Sequence, residues 1–304
     1  MRLLSAAMSR APRALKLTVF VLALALWCLP LLAADLRVSP AWLQARLDQP
    51  DVVIVDARAP ADFAKGHIVG AVNFPELATY RDQGRDGRLV EPAAMQERLR
   101  DLGLTRDTLT VVYDDGALLA AARVFWALEV YGLRNPRLLD RGYLGWEAAG
   151  FPTTTTLPRP QPSNYVAEID PRRIATRFTT RLAMADPRQQ IIDARSPDAY
   201  RGRVSKARRF GHIPSAINVP VHRHLDEAAD GSELRDLAAL AAIYADVPKD
   251  RRLVLYCDLG RVSAINYIAL RELGYQVANY DASWLEWGND PDLPILGPDG
   301  QVAP

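Results

Sequence analysis

The chain has 304 residues with 37 basic and 36 acidic side chains, a formal net charge of +1. Hydrophobic residues make up 49% and charged residues 24%, which fits two packed domains of ordinary size and excludes an intrinsically disordered chain. The balanced charge leaves no electrostatic footprint for nucleic acid, and two cysteines exclude a disulfide scaffold or a multi-cysteine metal site.

Residues 1–34 read as a secretory signal peptide. Arg2, Arg10, Arg13 and Lys16 precede an apolar run over 17–34, and no acidic residue occurs before Asp35. The run is just long enough to span a bilayer if stretched, so a retained anchor is the alternative. Pro30 interrupts it, however, and the small pair Ala33–Ala34 follows. Cleavage there predicts a periplasmic or secreted mature protein with no membrane segment. Losing four basic residues and no acidic one would leave a net charge of −3. Cys28 would go with the leader, leaving Cys257 as the lone cysteine. Without an internal disulfide partner, Cys257 is either a buried hydrophobe or a reactive thiol.

From residue 35 onward the chain reads twice. VVIVDAR at 52–58 returns as QIIDAR at 190–195, and GHIVGAVNFP at 66–75 as GHIPSAINVP at 211–220. TVVYD at 110–114 returns as LVLYC at 253–257, and DRGYLGW at 140–146 as DASWLEW at 281–287. Several short matches in one order, at nearly constant offset, mark a duplication. The β-branched runs 52–55, 110–113, 191–192 and 253–256 predict buried parallel strands. Helices are predicted over 118–131 and 262–273. Alternating strands and helices imply an α/β fold with a parallel sheet in each half, flanked by helices. Residues 151–165, rich in proline and threonine, predict a linker with little to bury. The domains are therefore 35–150 and 166–304.

These motifs together resemble the rhodanese superfamily in its tandem-domain sulfurtransferase form. The resemblance runs from about Val38 to Ile295. It rests on DAR followed by GHIPSAINVP, then LYCDLGRVSA, then NYDASWLEWGNDPDLPI. It implies a catalytic cysteine in the C-terminal domain and a silent N-terminal one. Cys257 ends a predicted strand, and Asp258, Leu259, Gly260, Arg261, Val262 and Ser263 form the loop before a predicted helix. Such a loop can wrap backbone N–H groups around the sulfur with a helix N-terminus behind it, favouring a thiolate or a persulfide. The corresponding residue of the first half is Asp114, which cannot carry sulfur. The implied reaction passes a sulfane sulfur from a donor such as thiosulfate, through Cys257, to a thiol or cyanide. A persulfide-bearing protein is a further candidate partner. No metal or organic cofactor is called for.

The donor pocket departs from the family pattern. Thiosulfate-type members place a cation two residues after the cysteine, where Leu259 stands, and an arginine where Ala199 stands. Mercaptopyruvate-type members follow the cysteine with glycine and serine or threonine, where this chain has Asp258 and Leu259. Arg208 falls where those members carry an arginine, and Arg261 lies in the loop, so both are candidate donor-binding cations. Arg203, Lys206 and Arg209 read as solvated charge. A phosphatase would need Cys-x5-Arg, and the sixth residue after Cys257 is Ser263. His222-x-His224 reads as an exposed polar turn, with a metal pair as the less favoured alternative. His67, His212 and the pairs Asp56/Arg58 and Asp193/Arg195 occur in both halves and predict folding roles. Trp284 and Trp287 are expected in the core. A non-catalytic rhodanese-fold binding protein and a protein-persulfide carrier are the competing functions.

Overall fold

The computed structural model describes residues 35–303, so the signal-peptide reading of 1–34 lies outside the described residues. The first half runs β1 (Arg37–Val38), α1 (Pro40–Gln44), β2 (Val52–Asp56), α2 (Pro60–Lys65), β3 (His67–Ile68), β4 (Val72–Asn73), a 3₁₀ turn (Glu76–Thr79), α3 (Pro92–Asp101), β5 (Leu109–Tyr113), α4 (Leu119–Val130), β6 (Asn135–Leu139), α5 (Gly142–Ala148) and β7 (Thr153–Thr154). The second runs β8 (Ile174–Ala175), α6 (Arg177–Ala183), β9 (Gln189–Asp193), α7 (Pro197–Tyr200), β10 (Ile217–Asn218), a 3₁₀ turn (Val221–His224), the hairpin β11 (Leu225–Ala228) and β12 (Gly231–Leu234), α8 (Leu237–Ile243), β13 (Arg252–Tyr256), α9 (Ser263–Glu272), β14 (Gln276–Tyr280), α10 (Ser283–Trp287), β15 (Ile295–Leu296) and β16 (Val302–Ala303).

Each half builds one five-stranded sheet. The orders are β1-β6-β5-β2-β4 and β8-β14-β13-β9-β10, with every neighbouring pair parallel. The two are copies of one topology, and the register repeats as well. Asp56 lies opposite Tyr113, and Asp193 opposite Tyr256. The strands follow the apolar runs but outlast them. In β9 the half-buried Gln189 and Gln190 lengthen a core of only two isoleucines, and Gln190 Nε2 donates to Ser215 O at 3.0 Å. Strands β6 and β14 escape sequence reading because NPRLL and QVANY lack a continuous apolar run. The polar hairpin β11–β12 escapes it for the same reason.

Helices α4 and α9 form one residue inside each predicted end. Ala121 through Val130 are all buried, which a helix on a protein surface cannot manage. The reason is that α4 packs on its own sheet and on α9. A single apolar cluster joins Val112, Phe125, Trp126 and Leu128 to Leu255, Ile265, Ile268 and Leu270. The Glu129 carboxylate lies in this seam: it accepts from Tyr267 Oη and, at 2.7 Å, from Arg271 Nη2. Both donors come from the other half, so the seam is polar only where its charges are paired.

The repeated DAR and GHI elements are structural ties. Asp193 accepts the backbone N–H of Arg195 at 2.9 Å and its Nη2 at 2.6 Å, and the same Nη2 donates to Gly211 O at 2.8 Å. Asp56, Arg58 and Gly66 O repeat the arrangement. Gly211 has φ +125°, and a Cβ there would lie 2.1 Å from Leu296 O, so only glycine fits. His67 stacks on Phe63 and His212 on Tyr200, each with ring centroids 3.7 Å apart. Trp146, Trp284 and Trp287 are fully buried. The segment after β7 has no helix or strand until β8, yet it is strapped down. Ser163 N–H donates to Arg100 O at 2.9 Å, and Tyr165 is buried with its hydroxyl donating to Tyr131 O. It therefore has more to bury than its composition suggests.

The two histidines of the His-x-His pair part company. His222 is exposed, whereas His224 is fully buried, with Nε2 2.6 Å from Tyr244 Oη and Nδ1 3.1 Å from Val221 O. The exposed-turn reading thus holds for His222 and fails for His224, because the 3₁₀ turn rotates successive side chains apart. Burial pushes the His224 pKa down to about 4, with Arg223 and His222 adding to the effect. The unfolded chain takes up this proton near pH 6.5, and the folded chain only near 4. The stability it contributes is complete above pH 6.5 and is lost as pH falls towards 4. Urea titrations across this range are expected to show the stability gap between the parent and His224→Gln narrowing by roughly 2–3 kcal/mol. A constant gap would show that the buried ring carries a proton.

Candidate active site

Cys257 follows the last residue of β13, and α9 begins at Ser263. The loop between them lies outside the carboxyl end of a central parallel strand, where open α/β sheets place their ligands. Cys257 is 1% exposed. Its backbone N–H donates to Ser283 Oγ at 3.2 Å, and its carbonyl accepts from Trp284 N–H at 2.9 Å, so the start of α10 fixes the thiol's backbone. Sγ lies 3.4 Å from Ser263 Oγ, which is also 2.8 Å from Asn279 Oδ1. That hydroxyl has one proton for two acceptors. A negative charge on sulfur would draw it from Asn279.

The remaining candidates fall on both sides of this loop. Gly260 turns it with φ +71°, and a Cβ there would sit 2.7 Å from Arg123 Nη1. Val262 caps α9 in helical conformation. Leu259 is half-buried, and its Cα and Cδ2 close on Gly87 of the first half. Asp258 Oδ2 lies 3.5 Å from Lys206 Nζ, an exposed pairing worth little energy but one that takes Lys206 out of the purely solvated class. Arg261 Nε lies 2.8 Å from Glu76 Oε1, and Tyr80 Oη donates to the same carboxylate at 3.0 Å. Arg208 is exposed and held by its backbone N–H to Asn289 Oδ1 at 2.8 Å. Among the described residues its side chain makes no hydrogen bond or ion pair with the loop, because the turn that carries it packs towards α10. Arg203 pairs with Asp198 at the surface. Arg209 departs from the solvated reading: its Nη1 donates to Asp290 O at 2.7 Å and Leu293 O at 2.6 Å.

Besides Glu76 and Tyr80, two side chains of the first half bear on the reading of the site, and sequence reading gave neither of them a part there. Asp114, in the place of Cys257, is buried and accepts four backbone N–H groups. Oδ1 takes those of Gly116 and Leu118 at 3.0 Å, and Oδ2 those of Ala120 and Ala121 at 3.0 and 3.2 Å. Burial pushes its pKa up to about 6 against the pull of these donors. A cleft of about 890 Å³ opens beside it, lined in part by Arg58, Tyr143, Glu76 and Arg261. Arg123, on α4, is fully buried. Its Nη1 lies 3.3 Å from both Leu259 O and Gly260 O, its Nη2 donates to Gly87 O at 3.1 Å and its Nε to Thr79 Oγ1 at 3.2 Å. The guanidinium also stacks 4.2 Å above Tyr80 and 4.6 Å above Trp126. Asp281, 3.9 Å away, accepts Leu89 N–H at 2.9 Å, and burial pushes its pKa up to about 6. A single cation in the otherwise apolar stretch AAARVFWAL was the available signal, since a buried charge needs dedicated partners.

The described residues thus form a duplicated parallel α/β unit with one buried thiol on a strand-to-helix loop. The chain belongs to the rhodanese family: the family described as "Rhodanese-like domain" matches residues 39–149 and 179–290. It is 34% identical over 264 residues to a thiosulfate sulfurtransferase of Azotobacter vinelandii, covering 86% of this chain and 96% of that one. It is 30% identical over 271 residues to the 3-mercaptopyruvate sulfurtransferase of Escherichia coli strain K12, covering 84% and 95%. Among solved structures it resembles Escherichia coli SseA, a 3-mercaptopyruvate sulfotransferase, with a TM-score of 0.73 and 28% identity, covering 83% of this chain and 99% of that one. EanB in complex with ergothioneine shares the fold, with a TM-score of 0.78 at 21% identity over 87% and 70% of the chains. The protein is thus a sulfurtransferase of the thiosulfate/3-mercaptopyruvate type, acting on a small-molecule sulfur donor and acceptor.

Proposed function

We propose that this protein carries sulfane sulfur as a persulfide on Cys257, taking it from thiosulfate and giving it to cyanide or a thiol. In the first step the Cys257 thiolate attacks the outer sulfur of thiosulfate. A new S–S bond forms, the donor's S–S bond breaks, and sulfite leaves with the electron pair. In the second step cyanide or a thiolate attacks the outer sulfur of the persulfide, and Cys257 departs as thiolate. Neither step needs a net oxidant or reductant.

The observation that carries this reading is the Asp114 carboxylate. Its oxygens stand one bond beyond Cγ, as the outer sulfur of a persulfide stands one bond beyond Sγ. The first half wraps that terminal anion in four N–H groups from its loop and helix start. By chain position the matching groups of the second half belong to Leu259, Arg261, Ser263 and Ala264, the last of which is donated to Arg261 O at 3.1 Å. The two loops turn at different residues, Gly116 and Leu118 in one and Gly260 in the other, but both run from a central strand into a long helix. The same strand–loop–helix frame thus stands behind Cys257 with sulfur in the carboxylate's place.

The parent protein is expected to gain one sulfur atom by intact mass after exposure to thiosulfate and to lose it on adding cyanide. Cys257→Ser is expected to stay folded, gain nothing and turn over at background rate. A serine variant that turns over like the parent would remove Cys257 from the reaction.

The loop cations bear on donor strength. Lys206 is engaged with Asp258 and Arg261 with Glu76, and Leu259 offers no charge. Thiosulfate use is therefore expected to be slow with a high KM. Leu259→Lys is expected to raise kcat/KM for thiosulfate roughly tenfold, as one oriented charge contact would. The gain should shrink as salt is added. No gain at low salt would point instead to an uncharged polysulfide or a protein persulfide as donor.

We also propose that the protein is exported, on the strength of the basic and then apolar start of the chain. N-terminal sequencing of the mature form is expected to read from Ala34 or Asp35, and Met1 on a membrane-bound form would overturn this.

A further inference from the structure

The loops after β5 and β13 are each held from behind by the opposite half, and the two grips differ in charge. In the first half, Gly116 O accepts the backbone N–H of Ser232, on β12 of the second half, at 2.7 Å. Leu259 holds the matching place in the second half. Its carbonyl, and that of Gly260, face Arg123 Nη1 from α4 of the first half; Gly260 O also accepts from Asn279 Nδ2 of its own half at 3.1 Å. Thus a neutral N–H grips the loop that has no thiol, and a full cation grips the loop that has one. The residue of α9 that corresponds to Arg123 is Asn266. It is neutral, and its Nδ2 donates to Val219 O at 2.8 Å without reaching the Gly116 loop.

We propose that Arg123 is a positioning residue for the sulfur-transfer loop. It belongs to the domain without the thiol and acts on Cys257 through the peptide groups of Leu259 and Gly260. This rests on the reading that Cys257 carries the sulfur. A trans peptide points its N–H opposite to its carbonyl. Drawing the two carbonyls towards Arg123 therefore turns the N–H groups of Gly260 and Arg261 to the other side of the loop. In the first half the N–H that matches Arg261, that of Leu118, is donated to the Asp114 carboxylate. The cation also polarises these two peptides and places positive charge behind the sulfur, where burial strengthens its effect.

The guanidinium cannot easily turn away. Thr79 Oγ1, Gly87 O and the rings of Tyr80 and Trp126 fix its plane. The shape of the loop depends on it too, because a side chain at Gly260 would strike Nη1. The other charges around the loop are Asp281 beside Arg123, Asp258 with Lys206, and Glu76 with Arg261 and Tyr80. Each of those cations faces a carboxylate at the rim. Arg195 is buried as well, but it is paired with Asp193 and stacked over Trp284, whereas the fully buried Arg123 meets the loop carbonyls directly.

The test uses full-length parent, Arg123→Met and Thr79→Val. Arg123→Met keeps the length of the side chain and removes the charge. Thr79→Val keeps the charge and frees Nε. Three quantities are measured: urea stability, the pH profile of Cys257 alkylation by iodoacetamide, and kcat and KM with thiosulfate and cyanide. Arg123→Met is expected to move the alkylation midpoint to higher pH and to lower kcat roughly ten- to hundredfold per folded molecule, as loss of a supporting contact behind a reactive group does elsewhere. KM should change much less. Thr79→Val should shift the same quantities in the same direction by less. A folded Arg123→Met protein with the parent's alkylation profile and kcat would overturn the proposal, whether or not its stability falls. If Arg123→Met does not fold, an unchanged profile in Thr79→Val overturns it. Alkylation needs no sulfur transfer, so a parent protein that never gains sulfur would refute the persulfide reading while the profile still decides the part of Arg123.

Discussion

Everything in this molecule is arranged around one contact, the packing of α4 on α9. Each helix is buried on nearly every side, so neither half could expose its helix to water without a large hydrophobic cost. Bringing the two together buries both and merges two repeated units into one core. The few polar groups caught in the seam are paired across it. Glu129 meets Tyr267 and Arg271, and Arg37 reaches from β1 to Glu272 and to Leu234 O. These pairs confer register more than stability, since exchanging a buried ion pair for apolar groups can leave stability unchanged.

The seam also explains how two copies of one unit diverged in chemistry without losing the fold. The loops after β5 and β13 lie at the same place in each sheet, and each leans on the opposite half. Where the first half has Asp114, the loop's N–H groups are satisfied internally and the site is closed by its own carboxylate. Where the second has Cys257, a thiol bonds such donors weakly, and the helix start pairs differently, with Ala264 N–H donated to Arg261 O at 3.1 Å. The loops also turn at different residues, Gly116 and Leu118 in one and Gly260 in the other. The structural ties that recur in both halves, the DAR ion pair with its GHI carbonyl and the histidine stacked on an aromatic ring, hold the frame rigid on either side of that difference.

The half without the thiol nevertheless takes part in the site. Glu76 receives Arg261, Gly87 closes on Leu259, and Arg123 lies beneath the loop. Without the first half, Leu259 O would lose its partner Arg123, whereas Gly260 O would keep Asn279 Nδ2 of its own half, and buried carbonyls need partners.

Much of this was legible in the chain itself. The duplication, the parallel α/β class, the central strands, the two long helices and the single thiol on a strand-to-helix loop all rest on local signals: apolar period, turn residues and repeated motifs. Such signals act over a few residues, and the strand and helix limits they predict differ from the observed ones by a residue or two. Strands β6 and β14, the two-residue edge strands and the polar hairpin were not legible, because their pairing is set by neighbours distant in sequence. Nor were the charges. Arg123 meets a carbonyl 136 residues away, and Arg261 meets a carboxylate 185 residues away. His222 and His224 look alike in sequence and end on opposite sides of the surface. The sequence by itself determined which residues could do chemistry and on what frame. Only the tertiary structure decided which of them are spent on partners and which remain free, because a side chain's charge, burial and hydrogen bonds belong to whatever the fold brings beside it.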